Sequence, residues 1–167
     1  MIELLVLDVD GTMTDGGVYY DATGNELKKF AIKDGAGLVM AHAAGVRAMI
    51  CTGRSCEAVN RRAADLGIEV FQGVRDKAAF LRQYLAEHGL SRDQVAYCGD
   101  DLNDLAAMAL CGFVACPADA VQAVRSRADY ICPQKGGEGA VRGAVEEILR
   151  RDGRLKEAAL AAFGAVL

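Results

Sequence analysis

Two aspartates stand two residues apart in Asp8-Val9-Asp10-Gly11-Thr12, directly after the apolar run Leu4-Leu5-Val6-Leu7. A lone D-x-D is most often a surface turn, but the run before this one reads as a buried strand. An unpaired buried carboxylate is costly unless a cation compensates it. Gly11 relieves the steric limit on the turn, so both acids can point toward one site. Three more elements carry reactive groups. Cys51-Thr52-Gly53 ends an apolar run with a hydroxyl, Lys77 follows Gly73-Val74-Arg75-Asp76, and Gly99-Asp100-Asp101-Leu102-Asn103-Asp104 is a carboxylate cluster. Singly, a Thr-Gly or a lysine is usually structural; the four together, in this order, are specific. Acids, a hydroxyl and an ammonium are what a phosphate monoester asks for: a nucleophile, a proton donor and positive charge.

Those groups need a frame that brings them together. Short apolar runs alternate with longer amphipathic ones, the pattern of β-α repeats around a doubly wound, mostly parallel sheet. Strands are expected at Leu4–Leu7, 46–51, Val95–Cys98, Phe113–Cys116 and Tyr130–Ile131, with helices over 56–66, 77–88, 103–110 and Ala140–Arg151. Right-handed crossovers place helices on both faces and gather ligands at the carboxyl ends of the strands. One segment breaks the alternation. Val18-Tyr19-Tyr20 and Glu26-Leu27-Lys28-Lys29-Phe30 flank the turn residues Asp21-Ala22-Thr23-Gly24-Asn25, which predicts a protruding β-hairpin over about residues 17–30. Its aromatic residues need a neighbour. The stretch 152–167 turns small and apolar and is expected to be mobile unless docked.

The 167 residues suit one domain, with 52% hydrophobic and 25% charged residues, which excludes wholesale disorder. A net charge of −4 with no Lys/Arg run argues against a nucleic-acid scaffold. No apolar run is long enough to span a bilayer, and no cleavable leader is visible. Six cysteines without a C-x-x-C pair, accompanied by two histidines, argue against a structural zinc site and suggest reduced thiols in a cytoplasm.

The set Asp8-x-Asp10-Gly11-Thr12, Thr52-Gly53, Lys77 and Gly99-Asp100-Asp101-x-x-Asp104 resembles the signatures of the haloacid dehalogenase superfamily of phosphohydrolases. The resemblance implies that Asp8 attacks phosphorus while Asp10 protonates the leaving oxygen and later activates water. It implies Mg²⁺ held by the Asp8 carboxylate, the Asp10 backbone carbonyl and Asp100, a hard all-oxygen site. Thr52 would hydrogen-bond a phosphoryl oxygen and Lys77 would neutralise one. Asp101 and Asp104 would hold Lys77 and the metal's waters, with Asp104 alternatively an ordinary first-turn helix acid.

A closer resemblance runs from Leu4 to Ala158. Asp15-Gly16-Gly17, the hairpin, Phe30-x-x-Lys33-Asp34-Gly35, Thr52-Gly53-Arg54, Arg62-Ala63, Gln72-Gly73-x-x-Asp76-Lys77, Ala96-Tyr97-x-Gly99-Asp100-Asp101 and Gly136-Gly137-x-Gly139-Ala140-Val141-Arg142 are similar to the capless branch. That branch holds the 3-deoxy-D-manno-octulosonate 8-phosphate phosphatases and their nonulosonate 9-phosphate relatives. By resemblance, hairpins assemble a homotetramer in which a neighbour closes the open site. Lys33, Asp34 and Gly35 would lie in a loop contacting substrate, with Gly53 beside the phosphate. Arg54 and Arg62 would face the sugar-acid end, where a guanidinium matches a carboxylate. Arg62 reads equally well as a solvated helix face. Arg54 after Thr-Gly favours the eight-carbon acid. Val39, Ala31 and Gly143 depart from that branch, and the hairpin reads like the nine-carbon one, which stays as the alternative.

Three other classes compete. A two-component receiver needs an adjacent acid pair after its first strand, whereas Val9 separates Asp8 from Asp10. A non-catalytic assembly module would not need the full acid, threonine and lysine set. A phosphomutase would want a cap, and no insert here is long enough for one.

Overall fold

The computed structural model describes residues 1–167. Its centre is β1 (Leu4–Leu7), every residue of which has no exposed surface. An uninterrupted apolar strand of this kind is buried on both faces. Pleating sends Leu5 and Leu7 into one core and Leu4 and Val6 into the other. Around it lie β4 (Arg47–Cys51), β5 (Glu69–Phe71), β6 (Val95–Cys98), β7 (Phe113–Cys116) and β8 (Tyr130–Ile131). All pair in parallel, in the order β5-β4-β1-β6-β7-β8.

Helices α1 (Ile32–Ala43), α2 (Glu57–Leu66), α6 (Ala140–Arg151) and α7 (Leu155–Phe163) bring residues such as Leu38, Val59, Val141 and Ala158 to the Leu5 face. Helices α3 (Lys77–Glu87), α4 (Leu105–Met108) and α5 (Gln122–Arg125) cover the other with Leu81, Ala107 and Val124. From β1 the chain moves outward to β4 and β5, then crosses back through α3 to β6 on β1's other side. The order reverses between β1 and β6, and the crevice at that reversal is where such sheets place a ligand.

Between β1 and α1 stands a separate two-stranded hairpin, β2 (Tyr19–Tyr20) against β3 (Glu26–Leu27). The Asp21 carboxylate ties its loop by accepting from the backbone N–H groups of Thr23 and Asn25 at 2.8 and 3.0 Å. Val18, Tyr20 and Leu27 are more than half exposed.

Several elements differ from expectation. Helix α1 follows the hairpin where no element was foreseen, because Gly35 and Gly37 weaken its helical signal. Gly37 is needed for packing: a Cβ there would come within 3.0 Å of Arg142 Cα on α6. Strand β5 is three half-exposed residues at the sheet edge, too short for a pattern. The helix expected over 103–110 is a 3₁₀ turn at Leu102–Asp104 followed by one turn of α4. The tail does not hang free. Arg154 donates to the carbonyls of Ala44 and Ile2, Asp152 accepts from the Ile2 N–H, and α7 buries Ala158 and Ala159 against α1.

Candidate active site

Strand β1 delivers Asp8 in extended conformation, and the next five residues coil back on themselves. Thr14 fastens that coil: its Oγ1 donates to Val9 O at 3.3 Å and accepts from the N–H groups of Gly11 and Gly16 at 3.2 Å each. Gly11 is required twice over. Its φ is +92°, and a Cβ would lie 2.2 Å from Asp100 Oδ2. Only a hydrogen at this position lets the loop after β6 close on the loop after β1.

Lys77, the first residue of α3, reaches from the opposite side. Asp76 starts that helix by accepting from Ala79 N at 2.8 Å. The almost wholly buried Lys77 Nζ donates to Asp8 at 2.6 Å and to Asp104 at 2.7 Å. Asp104 has no exposed surface and is saturated. Its Oδ1 also accepts from Tyr97 OH at 2.8 Å, and its Oδ2 from the N–H groups of Asp100 and Asp101 at 3.0 and 3.3 Å. It is therefore the bracket that joins Lys77 to the turn after β6, which goes beyond a first-turn helix acid.

Electrostatics mark the same place. Burial raises the Asp8 carboxyl, the Asp104 charge adds to that, and Lys77 opposes it. Burial, then the charges of Asp8 and Asp104, raise Asp100 further, against a 3.1 Å hydrogen bond from Thr12 Oγ1. Burial pulls Lys77 downward, but Asp8 and Asp104 outweigh it and keep the ammonium charged. Burial also lifts the phenol of Tyr97 far above its ordinary value, so it stays a donor. Oxygens of Asp8, Asp100 and Asp104 lie within 4.8 Å of one another, against one ammonium. Since Asp104 already has four donors, Asp8 and Asp100 are the pair with capacity for a hard cation. The nearby Cys51 thiol is pushed by burial up to about 12 and offers no thiolate.

A cavity of about 160 Å³ opens over these groups, lined by Asp8, Asp10, Thr52, Gly53, Arg54, Asp101 and Asn103. Thr52 is buried at the end of β4. Arg54 stands half-exposed at the rim, paired with Glu26 of the hairpin at 2.8 Å. A larger groove of about 470 Å³, lined by Leu38, Val39, Leu66 and Ile68 among others, has no such cluster of acids beside a lysine. Chemistry, not volume, identifies the site.

The structure places five of the expected site residues as follows. Lys33, Asp34 and Gly35 form the first turn of α1, not a loop, and do not line the cavity. Asp34 is buried, and its Oδ1 accepts from Arg142 N at 2.9 Å, capping α6, whose own N-cap residue Gly139 has no side chain to do so. Arg62 neither faces the cavity nor lies free on a helix surface. It donates to Ala31 O at 3.2 Å and covers the Phe30 ring at 5.7 Å. Asp101 lines the cavity and caps Leu102 N at 2.7 Å, with no contact to Lys77. Sequence reading gave no role to Thr14, Tyr97 or Lys28; the last is a hairpin lysine with a buried side chain whose Nζ pairs with Asp10 and Glu26.

A parallel sheet with acids converging at its reversal point, bound to a lysine from the neighbouring helix, defines a class. The family model of haloacid dehalogenase-like hydrolases matches residues 62–142. The chain belongs to the haloacid dehalogenase-like hydrolases, in the branch that holds the relatives described next. The 3-deoxy-D-manno-octulosonate 8-phosphate phosphatase of Haemophilus influenzae is 37% identical over 154 residues, 92% of this chain and 86% of that protein. Its Escherichia coli K12 counterpart is 39% identical over 158 residues, covering 94% and 84%. The crystal structure of the Moraxella catarrhalis enzyme, in complex with magnesium, phosphate and KDO, superimposes with a TM-score of 0.91 at 39% identity, covering 97% and 93%. A cobalt-bound Haemophilus influenzae structure gives 0.87 at 36%, covering 93% and 91%.

Proposed function

We propose that this chain is a phosphoric monoester hydrolase that uses Mg²⁺ to release phosphate from 3-deoxy-D-manno-octulosonate 8-phosphate. The observation that carries the chemistry is Asp8, held on one oxygen by buried Lys77, beside Asp100 across Gly11. The substrate rests on the activity of relatives 37–39% identical over most of both chains, and on Arg54 at the rim.

Asp8 uses its other carboxylate oxygen to attack phosphorus, and the bond to the sugar oxygen breaks. Asp10, on the cavity wall, gives its proton to that oxygen. Lys77 and Thr52 hold the phosphoryl oxygens in line. Asp10 then takes a proton from water, whose oxygen displaces Asp8 from phosphorus, and phosphate departs. Asp8, Asp100 and the Asp10 backbone carbonyl would hold Mg²⁺, which when bound would supply positive charge against the phosphoryl oxygens.

No cap is interposed between Gly11 and the hairpin or between β5 and β6. The exposed Val18, Tyr20 and Leu27 suit a homotetramer built through the hairpin. Six free cysteines, five of them buried, suit a reducing cytoplasm; no helix is long and apolar enough to cross a membrane. Phosphate release with Mg²⁺, measured on the eight-carbon and nine-carbon sugar-acid phosphates, tests the reading. The eight-carbon ester should have the higher kcat/KM; a preference for the nine-carbon ester would reassign the substrate. Sedimentation of an active monomer would contradict the assembly.

A further inference from the structure

Lys28, the residue just after β3, turns its side chain to the same side of the hairpin as Glu26, which it meets, and away from Leu27. Leu27 is exposed, whereas the Lys28 side chain keeps 1% of its surface despite lying on a protruding two-stranded element. Burying an ammonium is costly unless carboxylates meet it. Two do: Asp10 on one side, and Glu26 at 2.9 Å on the other. Lys28 is the one side chain that hydrogen-bonds Asp10. Glu26 in turn holds Arg54 at 2.8 Å, so charges alternate from Asp10 to the rim. A lysine serving only the hairpin would have no reason to leave water for the acid loop.

We propose that Lys28 is a positioning residue for Asp10, a cation delivered by the hairpin that aims the Asp10 carboxyl at the leaving oxygen. This rests on the reading of Asp10 as proton donor. A carboxyl free to swing meets the leaving oxygen in only a fraction of encounters, and small misplacements of a reacting group are expensive in rate. The loss should then fall on esters that need a proton. An alkoxide is a poor leaving group without one, whereas 4-nitrophenolate leaves unaided.

The experiment is single-turnover release of the leaving group from 3-deoxy-D-manno-octulosonate 8-phosphate and from 4-nitrophenyl phosphate, which reads the first step alone. Lys28→Met should slow the sugar ester about tenfold or more beyond its effect on the nitrophenyl ester. Lys28→Arg, which keeps the charge, should recover most of that difference. Equal slowing on both esters, or a change confined to KM, would overturn the proposal. Should Lys28→Met fail to fold by circular dichroism, Lys28→Gln is read in the same way. Asp10→Asn separates the two levels. If it shows no preference between esters, the reading of Asp10 fails; if it does and the Lys28 variants do not, the Lys28 role alone fails.

Discussion

Lys77 and Lys28 are both almost wholly buried ammonium groups, each held between two carboxylates, yet they come from opposite parts of the molecule. Lys77 starts a helix packed on the main sheet, and its partners Asp8 and Asp104 keep only 8% and 0% of their side-chain surface. Lys28 sits in a hairpin of two two-residue strands, and its partners Asp10 and Glu26 keep 26% and 16%. The floor of the site is thus tied into the fold, while the rim depends on an element too small to be stable by itself. On the mechanism proposed above, the floor would set whether a phosphate ester is cleaved, and the rim which ester is cleaved well.

Breaking the floor should have the largest effect. Asp8→Asn should lower kcat by about 10⁴-fold or more with circular dichroism unchanged, because the other carboxylates lining the cavity, Asp10 and Asp101, lack the Lys77 contact that fixes Asp8. Near-normal turnover in a folded variant would end the distinction between floor and rim.

Removing the cation should come next. Excess chelator should abolish turnover, and Mg²⁺ at about 100 times its Kd should raise the stability of the metal-free protein by about 2.7 kcal/mol, read as a Tm shift. Asp100→Asn should lose most of that shift. An equal Mg²⁺ shift in wild type and Asp100→Asn would place the ion elsewhere.

At the rim, Arg54→Ala should cost about 1.5–3 kcal/mol in kcat/KM on the sugar-acid ester and far less on 4-nitrophenyl phosphate. An equal fractional loss on both esters would move Arg54 from the rim to the floor. The smallest effect belongs to Tyr97→Phe, which removes one of four donors to Asp104. It should cost about 1 kcal/mol of stability by denaturant titration, with substrate preference unchanged. A changed preference between esters would show that floor and rim are not separable.

The same division decided what the sequence disclosed. Asp8, Asp100 and Lys77 were legible because the parallel sheet obliges each to sit at a strand end or helix start, where short motifs and apolar runs meet. Tyr97 was hidden because a tyrosine inside a buried strand looks like core until Asp104 is seen across from it. Lys28 was hidden because its partner Asp10 lies on a different loop. Asp34 and Arg62 were misplaced for a related reason. Resemblance locates a residue along the chain but not on a face of its helix, and here both faces are spent on α6 and on Phe30. Helix α1 was lost to Gly35 and Gly37, whose poor propensity is overridden by close packing, Gly35 against α2 and Gly37 against α6.

In the proposed mechanism Asp8 itself carries the phosphoryl group between ester and water. Quenching the enzyme during turnover of 3-deoxy-D-manno-octulosonate 8-phosphate with borohydride converts an aspartyl phosphate to homoserine, which peptide mass spectrometry locates. Conversion is expected at Asp8, dependent on substrate and on Mg²⁺. Conversion at Asp10 or Asp100 instead, or none under conditions of rapid phosphate release, would contradict it.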